Sequence, residues 1–159
     1  MSGQARHWWL GSLWALAVAS LGGALTTLDA WYFALQQPAW KPADLWFGPA
    51  WTTLFALCVV AGVNAWRGAS TVHAKRQVLL AYAINSVCNV TWSALFFYAQ
   101  RPDWALAEVG VLWASVIHLW WVTRQYSPKA SWCLVPYAAW VAFAAALNAA
   151  VVNANAPFA

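Results

Sequence analysis

Charge is what this chain most conspicuously lacks. Only 8% of its 159 residues are charged, and just four are acidic. A soluble domain carries about 25% charged residues to clothe its surface, so a water-soluble globule of this size is excluded. Eight Lys and Arg leave a net charge of +4, yet they form no basic run. Nucleic-acid binding needs a clustered phosphate-neutralising footprint, which is missing. Cysteine is scarce as well. Cys58, Cys88 and Cys133 are odd in number and lie in or beside apolar stretches, so neither a disulfide framework nor metal spacing can be read from them. Such thiols behave as small buried hydrophobes. Disorder is excluded from the opposite side, because 64% hydrophobic residues supply ample apolar area for collapse. No internal repeat or low-complexity segment occurs, and residues 1–159 read as one domain.

What the chain does have is long apolar windows. Residues 7–28, 46–66, 78–98, 104–123 and 131–152 each run for about 20 to 22 residues, enough at 1.5 Å per residue to cross a ~30 Å hydrocarbon core. Glu108 is the one Asp, Glu, Lys or Arg inside any of them. The windows are apolar on every face, unlike the alternating strands of a membrane barrel. The fold expected is therefore an all-α integral membrane protein, a bundle of five transmembrane helices. The first window has a rival reading as a signal peptide, with Arg6 before an apolar middle and Ala17-Val18-Ala19 as a cleavage-like end. Its apolar run continues through Gly22 to Leu25, too long for a signal core, and retention is the preferred reading. Arg6, Arg67, Lys75, Arg76, Arg124 and Lys129 fall on one side of the membrane, against Lys41 and Arg101 on the other. This bias predicts an N-terminus on the cytoplasmic side.

The fifteen tryptophans divide by depth. Trp8, Trp9, Trp46, Trp66, Trp104, Trp120, Trp121 and Trp132 lie near predicted helix ends, where indoles anchor at the interface. Trp31 and Trp40 belong to the connection 29–45. Trp14, Trp51, Trp92, Trp113 and Trp140 lie deeper, where a ring N–H without a partner is costly. Deep rings favour either a packed aromatic core or a ring-lined cavity for a flat, conjugated ligand. Asn85, Asn89, Trp92 and Phe96 share one face of the third helix by spacing. Pro136, Trp140, Ala144 and Leu147 form a stripe on the fifth, with Asn148 beside it. Asn85 and Asn148 read as interhelical hydrogen-bonding residues, and Asn89 equally as such a residue or as a ligand contact. Glu108, an intramembrane carboxylate, is a candidate functional group, expected one turn into its helix where the dipole favours it. His118 could ligate a haem iron, but a lone histidine reads better as a hydrogen-bonded core residue. No acid–base or nucleophile constellation appears. The connection, with its WYFALQQPAWKP segment, is stiffened by Pro38 and Pro42 without regular structure. It reads either as a lid over the bundle mouth or as a segment lying among headgroups.

The loop and four further stretches resemble the tryptophan-rich sensory protein and translocator protein family, the peripheral-type benzodiazepine receptors. These are Phe47-Gly48-Pro49-Ala50-Trp51-Thr52 at the second helix, Ala81 to Phe97 in the third, Trp104-Ala105-Leu106-Ala107-Glu108 opening the fourth, and Pro136-Tyr137-Ala138-Ala139-Trp140 leading to Leu147-Asn148 in the fifth. The resemblance implies a five-helix bundle, usually a homodimer, in a membrane such as the bacterial cell membrane. It implies a lid-closed pocket for tetrapyrroles such as protoporphyrin IX and haem and for isoquinoline-carboxamide-type ligands. On matching positions the ligand contacts are Tyr32, Trp51, Phe55, Asn89, Trp92, Glu108, Trp140 and Ala144. No obligatory cofactor, metal ligand or catalytic residue is implied. If the family's alternative reading as a light- and oxygen-dependent porphyrin-degrading enzyme holds, Trp51 and Trp140 are its redox-active rings. A partner-regulating membrane scaffold is a further alternative. Gln37 replaces the family's usual lysine, Ala43 its second proline and Asn85 its glutamine. The residues after Asn148 lack the tyrosine and basic residue of a proposed cholesterol motif, so cholesterol binding is not supported. Ala15, Ala19 and Gly23 form a small-residue ridge on the first helix, suited to a dimer or to packing within the bundle.

Overall fold

The computed structural model describes residues 3–158, and no strand occurs among them. Helix α1 spans Gly3–Leu25 and is followed by a short helix, α2, at Ala30–Ala34. A 3-10 turn at Asp44–Trp46 leads into α3, Phe47–Gly68. Helix α4 covers Val72–Ser93 and widens into a π turn at Ala94–Tyr98. Helix α5 runs Pro102–Tyr126, with proline in its first turn where no intrahelical donor is lost. A short α6 at Pro128–Ser131 and a 3-10 turn at Trp132–Leu134 continue into α7, Val135–Asn155. Five segments are long and apolar enough to cross a membrane: Gln4–Leu25, Asp44–Gly68, Val72–Tyr98, Pro102–Tyr126 and Pro128–Asn155. These match the five windows, with ends displaced by a few residues.

Helix α5 is the most enclosed of the five and α1 the least. Ala105, Val109, Leu112, Val116 and Leu119 repeat at helical spacing along α5 and are at most 2% exposed. All but Ala105 meet Leu54, Cys58 and Ala61 of α3, Val78 and Tyr82 of α4, and Tyr137 and Val141 of α7 in one core. On α1 the inward ridge is Gly11, Ala15, Val18 and Gly22. Ala15 packs with Val59 and Val63, while a side chain at Gly11 would meet both valines at 3.2 and 3.3 Å. The ridge Ala15–Ala19–Gly23 is thus divided, because Gly23 has nothing within 4 Å and faces outward. The buried stripe of α7 is also turned by one residue from expectation. Tyr137, Val141, Asn148 and Val151 point inward, while Pro136 is exposed.

The connection 29–45 has more order than its prolines alone suggest. Asp29 caps α2 by accepting the Tyr32 N–H at 3.0 Å, giving a helical turn ahead of the irregular proline segment. Phe47 reaches Trp140, whereas the Pro102 carbonyl reaches Asn148, two turns further along α7. Helix α3 therefore starts roughly 12 Å deeper than α5, and the loop descends along α7 to meet it.

Candidate functional site

Trp51 of α3 is the hub of a mid-bundle aromatic cluster. Its ring lies 5.7 Å from Phe55, 6.0 Å edge-on from Tyr137 and 6.5 Å edge-on from Trp140. Trp140 in turn meets Phe47 at 5.7 Å and Phe143 at 5.6 Å. Behind this cluster lies a polar chain. Asn89 donates to the Tyr137 hydroxyl at 3.1 Å, Tyr137 donates to Asn85 Oδ1 at 3.3 Å, and Asn85 donates to Ser115 at 2.9 Å. The Asn89 Nδ2 group is thereby engaged, and its Oδ1 lies beside Gly22, where a Cβ would stand 4.0 Å from it and 3.7 Å from the Ser93 hydroxyl. Outside the cluster, an apolar groove of about 650 Å³ opens between α3 and α7. Pro49, Ala50, Thr53 and Leu57 form one wall, Pro136, Ala139 and Trp140 the other, and Pro42 of the loop caps it.

The eight predicted contacts fall into separate neighbourhoods. Phe55 and Trp140 meet Trp51 directly, and Asn89 joins them through Tyr137, a residue that the predicted set omits. Its signal was present in the sequence, since it precedes Trp140 by three and so shares a side of α7 with it. Tyr32 and Trp92 belong to a second cluster near the loop, with Phe96, Ala105 and Val151. Both face Phe97, at 5.7 and 6.0 Å, because the π turn swings Phe96 and Phe97 inward. The Trp92 indole donates to Asn148 Oδ1 at 3.3 Å, and Asn148 donates to the Pro102 carbonyl at 2.9 Å. Ala144 is half-buried one turn beyond Trp140. Glu108 is half-buried on α5, where one carboxylate oxygen is shielded and takes no hydrogen bond. Its helix begins at Pro102, so it stands in the second turn, beyond the strongest reach of the dipole.

The remaining deep indoles have partners too. Trp14 donates to Ser86 at 2.9 Å and meets Tyr82 edge-on at 5.2 Å, tying α1 to α4. Trp113 donates to the Ala138 carbonyl at 3.1 Å from an exposed position. His118 is not a core residue: it is exposed and lies 6.3 Å from the Trp121 ring. Among the described residues no group of three His, Cys, Asp or Glu could hold a metal ion. The loop itself is pinned by its own charges. Tyr32 donates to Asp44 Oδ1 at 2.7 Å, and Lys41 pairs with the same carboxylate while its ammonium lies 5.5 Å from the Tyr32 ring centre. Burial first, then the Asp44 hydrogen bond, pushes the Tyr32 hydroxyl above the usual tyrosine range, so it remains a donor.

Five spanning helices, a pinned loop over one end and a ring cluster backed by buried amides define a multi-pass helical membrane protein with an aromatic-walled cleft. The TspO/MBR family profile matches residues 12–153, and the chain belongs to that family. It is 34% identical over 145 residues to the tryptophan-rich protein TspO of Chlorobaculum tepidum, covering 88% of this chain and 90% of that one. Its identity to the translocator protein of Sus scrofa is 34% over 157 residues, 92% of this chain and 91% of the relative. With the tryptophan-rich sensory protein of Cereibacter sphaeroides it is 33% over 133 residues, 84% and 82%.

Proposed function

We propose that the protein binds tetrapyrroles, protoporphyrin IX or haem, as a membrane sensor, carrier or transporter. Family membership supports a membrane sensor or transporter role in general. The observation that carries the finer reading is the Trp51–Tyr137–Trp140 cluster bordering the α3–α7 groove. Small-molecule sites are mostly apolar with a few placed polar groups, and the ring cluster on the inner side of this groove, with Asn89 behind it, is of that kind. Rings at right angles offer faces and edges to a flat macrocycle, and Asn89 would join them by turning its Oδ1 from Gly22 toward the ligand. Phe55 and Ala144 would extend the wall, with Tyr32, Trp92 and Glu108 contacting the ligand's far side nearer the loop. Isoquinoline carboxamides, also flat and apolar, suit the same rings. Homodimerisation, an N-terminus in the cytoplasm and residence in a bacterial cell membrane belong to the same reading.

Titrating protoporphyrin IX into the reconstituted protein should quench tryptophan fluorescence saturably. Trp51→Phe with Trp140→Phe should weaken binding roughly tenfold, the scale of losing stacking contacts worth about 0.5–1.5 kcal/mol each. A folded protein that shows no saturable binding would sink the reading. Contact between Trp51 and Trp140 also favours a second one, light- and oxygen-dependent breakdown of the bound porphyrin. There a defined product should form under light in the wild type and vanish in Trp51→Phe while binding persists.

A further inference from the structure

We infer that the ligand enters this site sideways from the bilayer, through the α3–α7 groove, and not through the mouth beneath the loop. The inference rests on reading the aromatic cluster as a ligand site. The mouth is held by polar contacts at three places. The Gln36 N–H donates to Asn155 Oδ1 at 2.8 Å and its carbonyl accepts from Asn155 Nδ2 at 3.0 Å, a two-point clamp onto the end of α7. Asp44 holds Tyr32 and Lys41 together. Gln100 reaches Asp29 at 3.4 Å, which ties α2 to the turn before α5. A ligand passing this way has to break several of these at once.

The side of the bundle is built differently. Among the described residues no side-chain hydrogen bond joins α3 to α7. The helices meet through apolar side chains, among them the rings of Phe47 and Trp51 on Trp140 and of Trp51 on Tyr137. Rings can slide without leaving a polar group unpaired in hydrocarbon, which is what makes opening a membrane helix pair costly elsewhere. Pro49, Thr53, Pro136 and Ala139 are exposed at the groove and lie within spanning segments, so the groove faces lipid. Trp140 belongs both to the groove wall and to the inner cluster, so its ring is the partition between them. Rotation of that half-buried ring opens the way. A flat apolar ligand is already concentrated in the bilayer by the hydrophobic effect, and this path spares it a return to water.

Association and dissociation of protoporphyrin IX are followed by stopped-flow tryptophan quenching, with the full chain in phosphatidylcholine vesicles. Ala139→Trp plugs the groove from α7. Thr53→Trp does so from α3, where the Thr53 hydroxyl bonds only its own helix at Pro49 O. A plugged portal slows entry and exit together, roughly tenfold, and leaves Kd near its original value, whereas damage to the site itself changes Kd. Asn155→Ala releases the loop clamp and should leave both rates within about twofold. Unchanged rates in both groove variants overturn the inference. So does a several-fold acceleration in Asn155→Ala. If the wild type binds no porphyrin, it is the ligand-site reading that fails.

Discussion

The Tyr137 hydroxyl accepts from Asn89 and donates to Asn85, and the chain ends when Ser115 donates to the Leu112 carbonyl. Each donor in this run is used, which a bundle in lipid requires because water cannot compensate for a missing partner. Tyr137→Phe keeps the ring against Trp51 and strands two amides. It should cost about 1–3 kcal/mol, read as a lower midpoint of thermal unfolding in detergent. Asn85 and Asn89 were legible at helical spacing because a buried amide is rare enough to stand out. Their partner Tyr137 shared a side of α7 with Trp140, but its role was not legible, since a tyrosine in an apolar run reads equally as core, interface or site. Trp14 and Trp113 had no assignment from position alone. Ser86 and the Ala138 carbonyl, 72 and 25 residues away in sequence, supply it.

Among the elements, glycines mark where backbones approach. A Cβ on Gly68 would stand 2.0 Å from the Tyr126 carbonyl oxygen, where the ends of α3 and α5 meet, while Gly23 has open space. Gly68→Ala should therefore force the two helix ends apart and destabilise by about 1–3 kcal/mol or more. Gly23→Ala should be neutral or stabilising by up to about 1 kcal/mol, the helix-propensity difference. Comparing the two unfolding midpoints tests the assignment of the close approach. The five spans were legible from hydrophobic length. Which face of α7 turns inward was not, because nearly every position is apolar and the pattern carries little phase information. The π turn was invisible for a related reason: one residue inserted into a turn changes no composition, yet it carries Phe96 and Phe97 toward Tyr32 and Trp92.

Across the whole molecule, charge is more lopsided than a count of basic residues conveys. At the loop end Lys41 pairs with Asp44 and Arg101 with Asp103. No ion pair occurs among the described residues at the other end, where Arg6, Arg67, Lys75, Arg76, Arg124 and Lys129 lie. Lys75 rests instead over Trp66 and Arg124 over Trp120, at 5.4 and 5.2 Å, as suits cations beside interfacial indoles. The proposed topology, with the basic end in the cytoplasm, rests on this asymmetry. A thiol introduced by Ala39→Cys should react with a membrane-impermeant maleimide from outside intact cells, and one at Ser70→Cys only after lysis. The reverse pattern would invert the topology.

The scarcity of charge determined by itself that this chain lives in lipid, and five apolar lengths determined how often it crosses. Those are properties of composition and rise per residue, to which contacts add nothing. Which indoles face one another, which amide finds which hydroxyl, and where the bundle is clamped or left open were decided only by the tertiary structure. In a chain so uniformly apolar, the few polar atoms take their meaning from partners far away in sequence, and folding alone brings those partners within reach.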